Sequence, residues 1–381
     1  MSSCCTCDIC GADMPGIWEI NNGIAPNVYR AESHGAKTSP QRMFFCPSCQ
    51  IIENKHDFTN DDLYKNYAYR TPRTSMDDEI VKFLSQFLIE NNIKNVVEVA
   101  GNNGVFASKI VNETQIFDLE YTVVDDVEFE VSDRRIKHIR SFLQYEKREL
   151  FSNINPELVI IRHALAHNKS VNRFFKSIVD ILNPKYIYIE NASLEATVEN
   201  LDYSQLYSEH FFHLTSFSIA KLGHKFGFNT QSVEYFDIHN GSFGVLLTKG
   251  DQNKEVSSPQ FTESQLSNSI QSWTLSVKKY WQEIADKNKK VVVWGSSAKF
   301  LFTYSALDLK DICRVTYLVD STPAKVGLYA PGITTRVINE KSVAGLTDDV
   351  VFVIGARNFA EYITAKILDV DLRADISCPP F

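Results

Sequence analysis

The central part of the chain alternates short β-branched runs with stretches of helical periodicity. Ile80, Phe83, Leu84, Phe87 and Leu88 recur at helical spacing, after an N-cap signal in Ser75-Met-Asp-Asp78. Asn95 to Ala100 reads as a strand ending in Gly101-Asn-Asn-Gly104, and helical periodicity resumes from Val105 to Val111. Tyr121 to Val124, Leu158 to Ile161 and Tyr186 to Glu190 read as further strands, with a helix from Asn172 to Leu182 stopped by Asn183-Pro184. Phe243 to Leu247 reads as a late strand closing the unit. Strands and helices alternating at this length predict an α/β fold with a parallel, doubly wound sheet.

A polar stretch, Lys249 to Pro259, interrupts this rhythm. Thr262-Glu-Ser-Gln265 then forms a capping box, and Leu266, Ile270, Trp273, Val277, Trp281 and Ile284 mark one stripe of a long helix. Strands at Val291–Trp294, Val315–Val319 and Val350–Ile354 predict a second, smaller Rossmann-like unit. The chain therefore divides into an N-terminal module (1–58), a central unit (59–250, opening with a connector at 59–75), a linker (251–262) and a C-terminal unit (263–381).

Composition adds exclusions. The 381 residues are 44% hydrophobic and 23% charged, the profile of a folded globular chain. No apolar run approaches the ~20 residues of a membrane span, and Met1 to Asp13 has no apolar secretion segment, so the expectation is a soluble cytoplasmic protein. A net charge of −8 argues against a phosphate-gripping nucleic-acid surface. The oligomeric state is left open.

Of eight cysteines, Cys4, Cys5, Cys7, Cys10, Cys46 and Cys49 fall near the N-terminus. Cys7-Asp-Ile-Cys10 and Cys46-Pro-Ser-Cys49 are two C-x-x-C knuckles able to supply four thiolates to a structural zinc, with no ligand position left for substrate. Cys4-x-x-Cys7 is a rival first knuckle, and disulfides or a redox pair are the competing chemistries.

Glu98-Val-Ala-Gly101-Asn-Asn103-Gly104 turns at the carboxyl edge of the sheet, where open α/β folds bind ligands. It lacks the third glycine of a pyrophosphate turn, and Asp125 stands at the end of the next strand to accept ribose hydroxyls. A short glycine loop beside acids suits S-adenosylmethionine, although an ordinary αβ turn shows the same spacing. Tyr207-Ser-Glu209-His210 gathers a general base with groups able to orient it or bind an oxyanion, and it also describes a polar helix start. His163 and His167 follow the third strand, and His239-Asn-Gly-Ser242 precedes the late one. Gly295-Ser-Ser-Ala-Lys299 and Asp320 repeat the turn-and-acid pattern in the C-terminal unit, for a phosphate and a ribose or for packing alone.

Taken in order, the cysteine module, Tyr67-x-Tyr69, E-V-x-G-x-N-G, L-A-H, Y-x-E-H, H-x-G-S and G-x-x-x-K…D-x-x-P-x-K resemble the three-domain, zinc-containing, S-adenosylmethionine-dependent C-methyltransferases of nucleotide-linked deoxysugars. The resemblance covers nearly the whole chain. It implies a central methyltransferase domain holding the methyl donor through Glu98, Gly101, Asn103, Gly104 and Asp125. It implies His210 as base, oriented by Glu209, with Tyr207 on the enolate and His167 and Tyr69 positioning the sugar. His239, Ser242, Gly295, Lys299 and Asp320 would line the substrate, typically a dTDP-linked 4-keto-6-deoxy sugar used for surface polysaccharide or glycosylated metabolites.

The chain departs from that pattern at Asn103, where an aspartate is usual, at Asn240 for a glycine, and at Phe243-Gly244 for Leu-Arg. An oxygen or nitrogen acceptor is the alternative to carbon. A nicotinamide oxidoreductase would need a G-x-G-x-x-G that Trp294-Gly-Ser-Ser-Ala-Lys299 does not supply.

Overall fold

The computed structural model describes residues 5–33, 36–64, 77–131, 133–238, 240–250, 255–346, 349–371 and 373–380. Its centre is a seven-stranded sheet ordered Asn229–Phe236, Ser242–Thr248, Tyr186–Ala192, Leu158–Arg162, Asn95–Val99, Glu120–Val124, Ile136–Ile139. The last five of these run parallel, and Ser242–Thr248 pairs antiparallel with both of its neighbours. Strand order reverses around Asn95–Val99, so the crevice of the sheet opens at that strand's carboxyl end, where the glycine loop lies. Helices Asp78–Glu90, Val105–Thr114 and Val171–Leu182 cover the faces.

The strands expected from the apolar runs are present: Val315–Val319 and Val350–Ile354 keep the expected bounds, Asn95–Val99 ends one residue early, and the others are a residue or two longer. Ile136–Ile139 and Asn229–Phe236 escape the pattern because both are sheet edges. Lys137, Glu234 and Tyr235 stay at least partly exposed there, which dilutes the alternation. Ser75 and Met76 of the expected cap lie outside the described residues; in the described part, the Asp77 side chain ahead of helix Asp78–Glu90 makes no capping bond and pairs with Lys109 and Arg162.

The C-terminal unit is a five-stranded parallel sheet ordered Val337–Ile338, Val315–Val319, Lys290–Trp294, Val350–Ile354, Ile376–Ser377. It is preceded by helix Glu263–Asp286, whose Thr262–Gln265 capping box forms as read. That helix buries Leu266, Ile270, Trp273, Val277, Trp281 and Ile284, the stripe the sequence marks. Trp273 meets the Trp18 ring edge-on at 5.9 Å, so the helix seats on the N-terminal module as well as on its own sheet. Truncating either buried tryptophan would cost about 3–5 kcal/mol.

The N-terminal module is a meander, Gly16–Ile24, Thr38–Cys46 and Ile51–Lys55, to which Phe212–His213 adds a fourth strand. That added strand comes directly after Tyr207-Ser-Glu209-His210. The strand that follows this motif therefore lies in the module's own sheet. Among the described residues, no helix is long and apolar enough to cross a membrane.

Candidate active site

The Sγ atoms of Cys7, Cys10, Cys46 and Cys49 lie within 4.8 Å of one another, with Cys10 and Cys46 3.7 Å apart. A tetrahedron of sulfurs at about 2.3 Å from zinc has edges of about 3.8 Å, so the four thiols fit that ion. Each knuckle closes on a left-handed residue, Gly11 at φ 77° and Gln50 at φ 55°. Cys4 lies outside the described residues.

The knuckles also dock. The Asp8 carboxylate accepts the Asn172 backbone N–H at 2.9 Å and the Ser170 hydroxyl at 2.9 Å, at the start of helix Val171–Leu182. Lys225 and Lys221 donate to the knuckle carbonyls of Ile9 and Ser48. The Gln50 amide pairs with the backbone of Phe261, just ahead of the long C-terminal helix.

At the switch point, Ala100, Asn102 and Gly104 all take positive φ, folding the loop sharply back into helix Val105–Thr114. A Cβ on Gly104 would stand 2.5 Å from the Phe129 ring, and one on Gly101 2.8 Å from Val123. Asp125 receives the backbone N–H of Asn102 and of Val127, both at 2.8 Å, and burial raises its pKa. Glu98 is buried, accepts the Tyr121 hydroxyl at 3.1 Å and is pushed up to about 7 by desolvation. Asn103 lies in the same turn. The set offers carboxylates for hydroxyls and an uncluttered turn. The nearby cations are spent: Lys109 on Asp77 and Asp78, Arg162 on Glu190. That chemistry fits a ribose and a sulfonium better than a phosphate.

One strand over, His163 and His167 follow Leu158–Arg162. His163 Nε2 sits 2.7 Å from Glu190 Oε1, and the buried Arg162 holds Glu190 ionised against its burial. The His167 ring meets His210 edge-on at 4.8 Å, and the Tyr207 ring lies 4.1 Å from His210. His210 Nδ1 lies 3.0 Å from the Gln205 carbonyl, an acceptor only, so Nδ1 carries the proton and Nε2 the lone pair. Burial, then His167 and His213, keep His210 neutral well below the usual histidine range. His167 is lowered to about 4, by burial first and then by His163.

The Glu209 carboxylate receives the Asn27 backbone N–H at 3.2 Å and the Asn27 side chain at 2.6 Å. At Nδ1 the His210 ring is oriented by the Gln205 carbonyl. Further grips from the N-terminal module come from Ser208 to the Ile24 carbonyl, from His56 to the Ser208 carbonyl, and from Asn54 to the Tyr207 and His210 carbonyls. Asn27, Asn54, Gln205 and His213 carry no motif in the sequence. Asn27 and Asn54 meet partners more than 150 positions along the chain, and Gln205 acts through its backbone carbonyl.

In the C-terminal unit Asp320 receives the Ser296 backbone N–H at 2.9 Å, as Asp125 receives that of Asn102. Gly295 sits at φ 99° with room for no side chain, since a Cβ would stand 2.7 Å from the Ala356 nitrogen. Lys325 bridges Asp320 and the Ser296 carbonyl, and Tyr29 donates to that same carbonyl at 2.8 Å. Lys299 pairs with Asp202 at 3.1 Å, and the Asn240 amide donates to the same oxygen. Ser242 is buried and donates to the Ile238 carbonyl. Tyr69 and His239 lie outside the described residues.

Residues 67–233 match the family model of the methyltransferase domain, and residues 238–372 match that of the C-methyltransferase C-terminal domain. The chain carries a methyltransferase domain. S-adenosylmethionine is the cofactor that a methyltransferase domain calls for.

The second match begins inside the central sheet, so Ser242–Thr248 belongs to it although the strand lies among those of the methyltransferase domain. No curated protein sequence matches the chain. Among solved structures, an O-methyltransferase family protein from Burkholderia thailandensis is 12% identical at TM-score 0.35, over 45% of this chain and 56% of that one. The match thus spans little over half of that relative's length. Magnesium protoporphyrin IX methyltransferase from Synechocystis, solved with bound SAH, is 10% identical at TM-score 0.35, over 49% of this chain and 91% of that one.

Proposed function

We propose that this methyltransferase transfers a methyl group to the carbon next to the ketone of a nucleotide-linked 4-keto-deoxysugar. The observation that carries the reading is the His210 ring, whose Nδ1 proton is committed to Gln205, which leaves Nε2 as an unprotonated base at neutral pH. A C–H beside a ketone needs a positioned, unprotonated base within reach, whereas an oxygen or nitrogen nucleophile makes a weaker demand for one. The C-methyltransferase C-terminal match agrees with carbon as acceptor. The nucleotide-sugar part of the reading rests on the motif order in the sequence.

S-adenosylmethionine supplies a methyl group activated by its sulfonium. His210 Nε2 takes the proton from the carbon next to the ketone, and the electron pair delocalises into the carbonyl as an enolate. Tyr207, against the His210 ring, donates a hydrogen bond to the developing oxyanion. His167, with its pKa lowered to about 4, stays neutral beside that charge and serves as a hydrogen-bonding wall. Alignment of acceptor carbon, methyl and sulfur in a closed site supplies much of the rate. The four-cysteine site, if it holds zinc, closes the metal's shell and takes no part in the chemistry.

The test is product analysis with methyl-labelled S-adenosylmethionine and a panel of nucleotide-linked 4-keto sugars. A new carbon–methyl signal on the ring, absent with His210→Asn, is the expected result. A label found on oxygen or nitrogen, or no transfer to any keto sugar, would overturn the reading.

A further inference from the structure

The strand that leaves the second cysteine knuckle, Ile51–Lys55, ends against the turn that carries the base. Its Asn54 is fully buried, and its backbone N–H donates to the Phe211 carbonyl at 2.9 Å. Its side-chain Nδ2 reaches the Tyr207 and His210 carbonyls, each at 3.3 Å. The turn itself is closed by the His210 N–H on the Tyr207 carbonyl at 3.0 Å, so Asn54 binds both ends of the segment that sets the two rings face to face.

The amide's other end gives the reason to assign it this task. Asn54 Oδ1 is buried and has no hydrogen-bond partner. An unmatched buried oxygen is costly, and a leucine of similar size would fill the same space without it. A donor facing two carbonyls of the base turn is what the amide alone supplies. Ser208, His56 and Asn27 tether the same turn to the module, and Asn54 binds the carbonyls of both ring-bearing residues.

We propose that Asn54 is a positioning residue for the reaction, through which the cysteine module fixes the Tyr207–His210 turn and with it the direction of the His210 Nε2 lone pair. The proposal rests on the reading of His210 as base. A misplacement of about 1 Å at a reacting centre costs on the order of a hundredfold in rate. Cofactor affinity, assigned to Gly101, Gly104 and Asp125 at strands of the separate central sheet, is not routed through Asn54.

Asn54→Leu and Asn54→Ala test it, with Gln41→Leu as control. Gln41 is a buried amide of the same sheet with no hydrogen-bond partner at either end among the described residues. Three quantities are read on each protein: kcat with the keto-sugar acceptor, the affinity for S-adenosylhomocysteine, and the His210 tautomer from its imidazole nitrogen shifts. The expected result is kcat down about a hundredfold, affinity within about twofold, and a His210 ring that populates both tautomers in the Asn54 variants alone. A wild-type tautomer and kcat in either folded Asn54 variant would overturn the proposal. Loss of zinc or of cofactor binding in both would overturn it too, by making Asn54 a residue of the module's fold. The tautomer needs no acceptor, so it still decides the role of Asn54 if no keto sugar is methylated.

Discussion

The Asp8 carboxylate, held between Cys7 and Cys10, accepts the Asn172 backbone N–H at 2.9 Å and so caps helix Val171–Leu182 of the methyltransferase domain. A side chain inside one cysteine knuckle thus satisfies a helix start in another part of the chain. The metal that would order the knuckle becomes part of the fold of the domain it rests on.

Chelation should therefore act beyond the knuckles. Purified protein is expected to carry one zinc per chain by atomic absorption. Its removal should lower the thermal midpoint and abolish methyl transfer. Asp8→Ala, which removes the acceptor of the Asn172 N–H while leaving the Ser170 cap and four thiols, should cost about 1 kcal/mol in urea unfolding and retain the metal. A metal-free protein with unchanged stability would contradict the structural role.

His213 sets up a pH test. It is lowered to about 3 by burial, and its Nε2 has no partner. In the unfolded chain it protonates below about 6.5, while in the folded chain it stays neutral. Its stabilising neutrality is therefore fully present above that pH and is lost as pH falls toward the folded value. Removing it should help more in acid than at neutrality. The gain of His213→Leu over wild type at pH 5.5 should exceed that at pH 7.5 by about 1.4 kcal/mol. Equal gains at both pH values, measured by urea unfolding, would contradict the burial argument.

Asp125 is expected to hold the ribose of the methyl donor while bracing the turn through Asn102 and Val127. Asp125→Ala should weaken S-adenosylmethionine and S-adenosylhomocysteine at least tenfold, about 1.4 kcal/mol, by calorimetry. Asp125→Asn, which keeps one carbonyl acceptor, should fall between. An alanine variant with wild-type affinity would place the cofactor elsewhere.

Much of this was legible before any coordinates. The spacing of Leu266 to Ile284 gave the long helix, because a 3.6-residue stripe is a local signal. The two C-x-x-C knuckles gave the four-thiol cluster, because metal chemistry constrains spacing. The His210, Tyr207 and His167 rings do gather, as their shared motif order implied. What stayed hidden was non-local. Phe212–His213 is too short to show a strand pattern, and it exists as one only because Ile52 and Glu53 lie beside it. Asn27 and Asn54 act on residues more than 150 positions away, and a lone asparagine announces no partner. Asp320 and Lys299 read as ligand residues on spacing, yet their charges also serve Ser296, Lys325 and Asp202 inside the fold.

If His210 Nε2 removes a carbon-bound proton, hydrogen exchange reads that step without methyl transfer. A nucleotide-linked 4-keto-deoxysugar would be incubated in D2O with the protein and S-adenosylhomocysteine, and deuterium at the carbon next to the ketone followed by NMR. Enzyme-dependent exchange is expected, falling by about 10²–10⁴ in His210→Asn with S-adenosylhomocysteine affinity intact. Exchange that proceeds equally well in His210→Asn would contradict the assignment of His210 as the base.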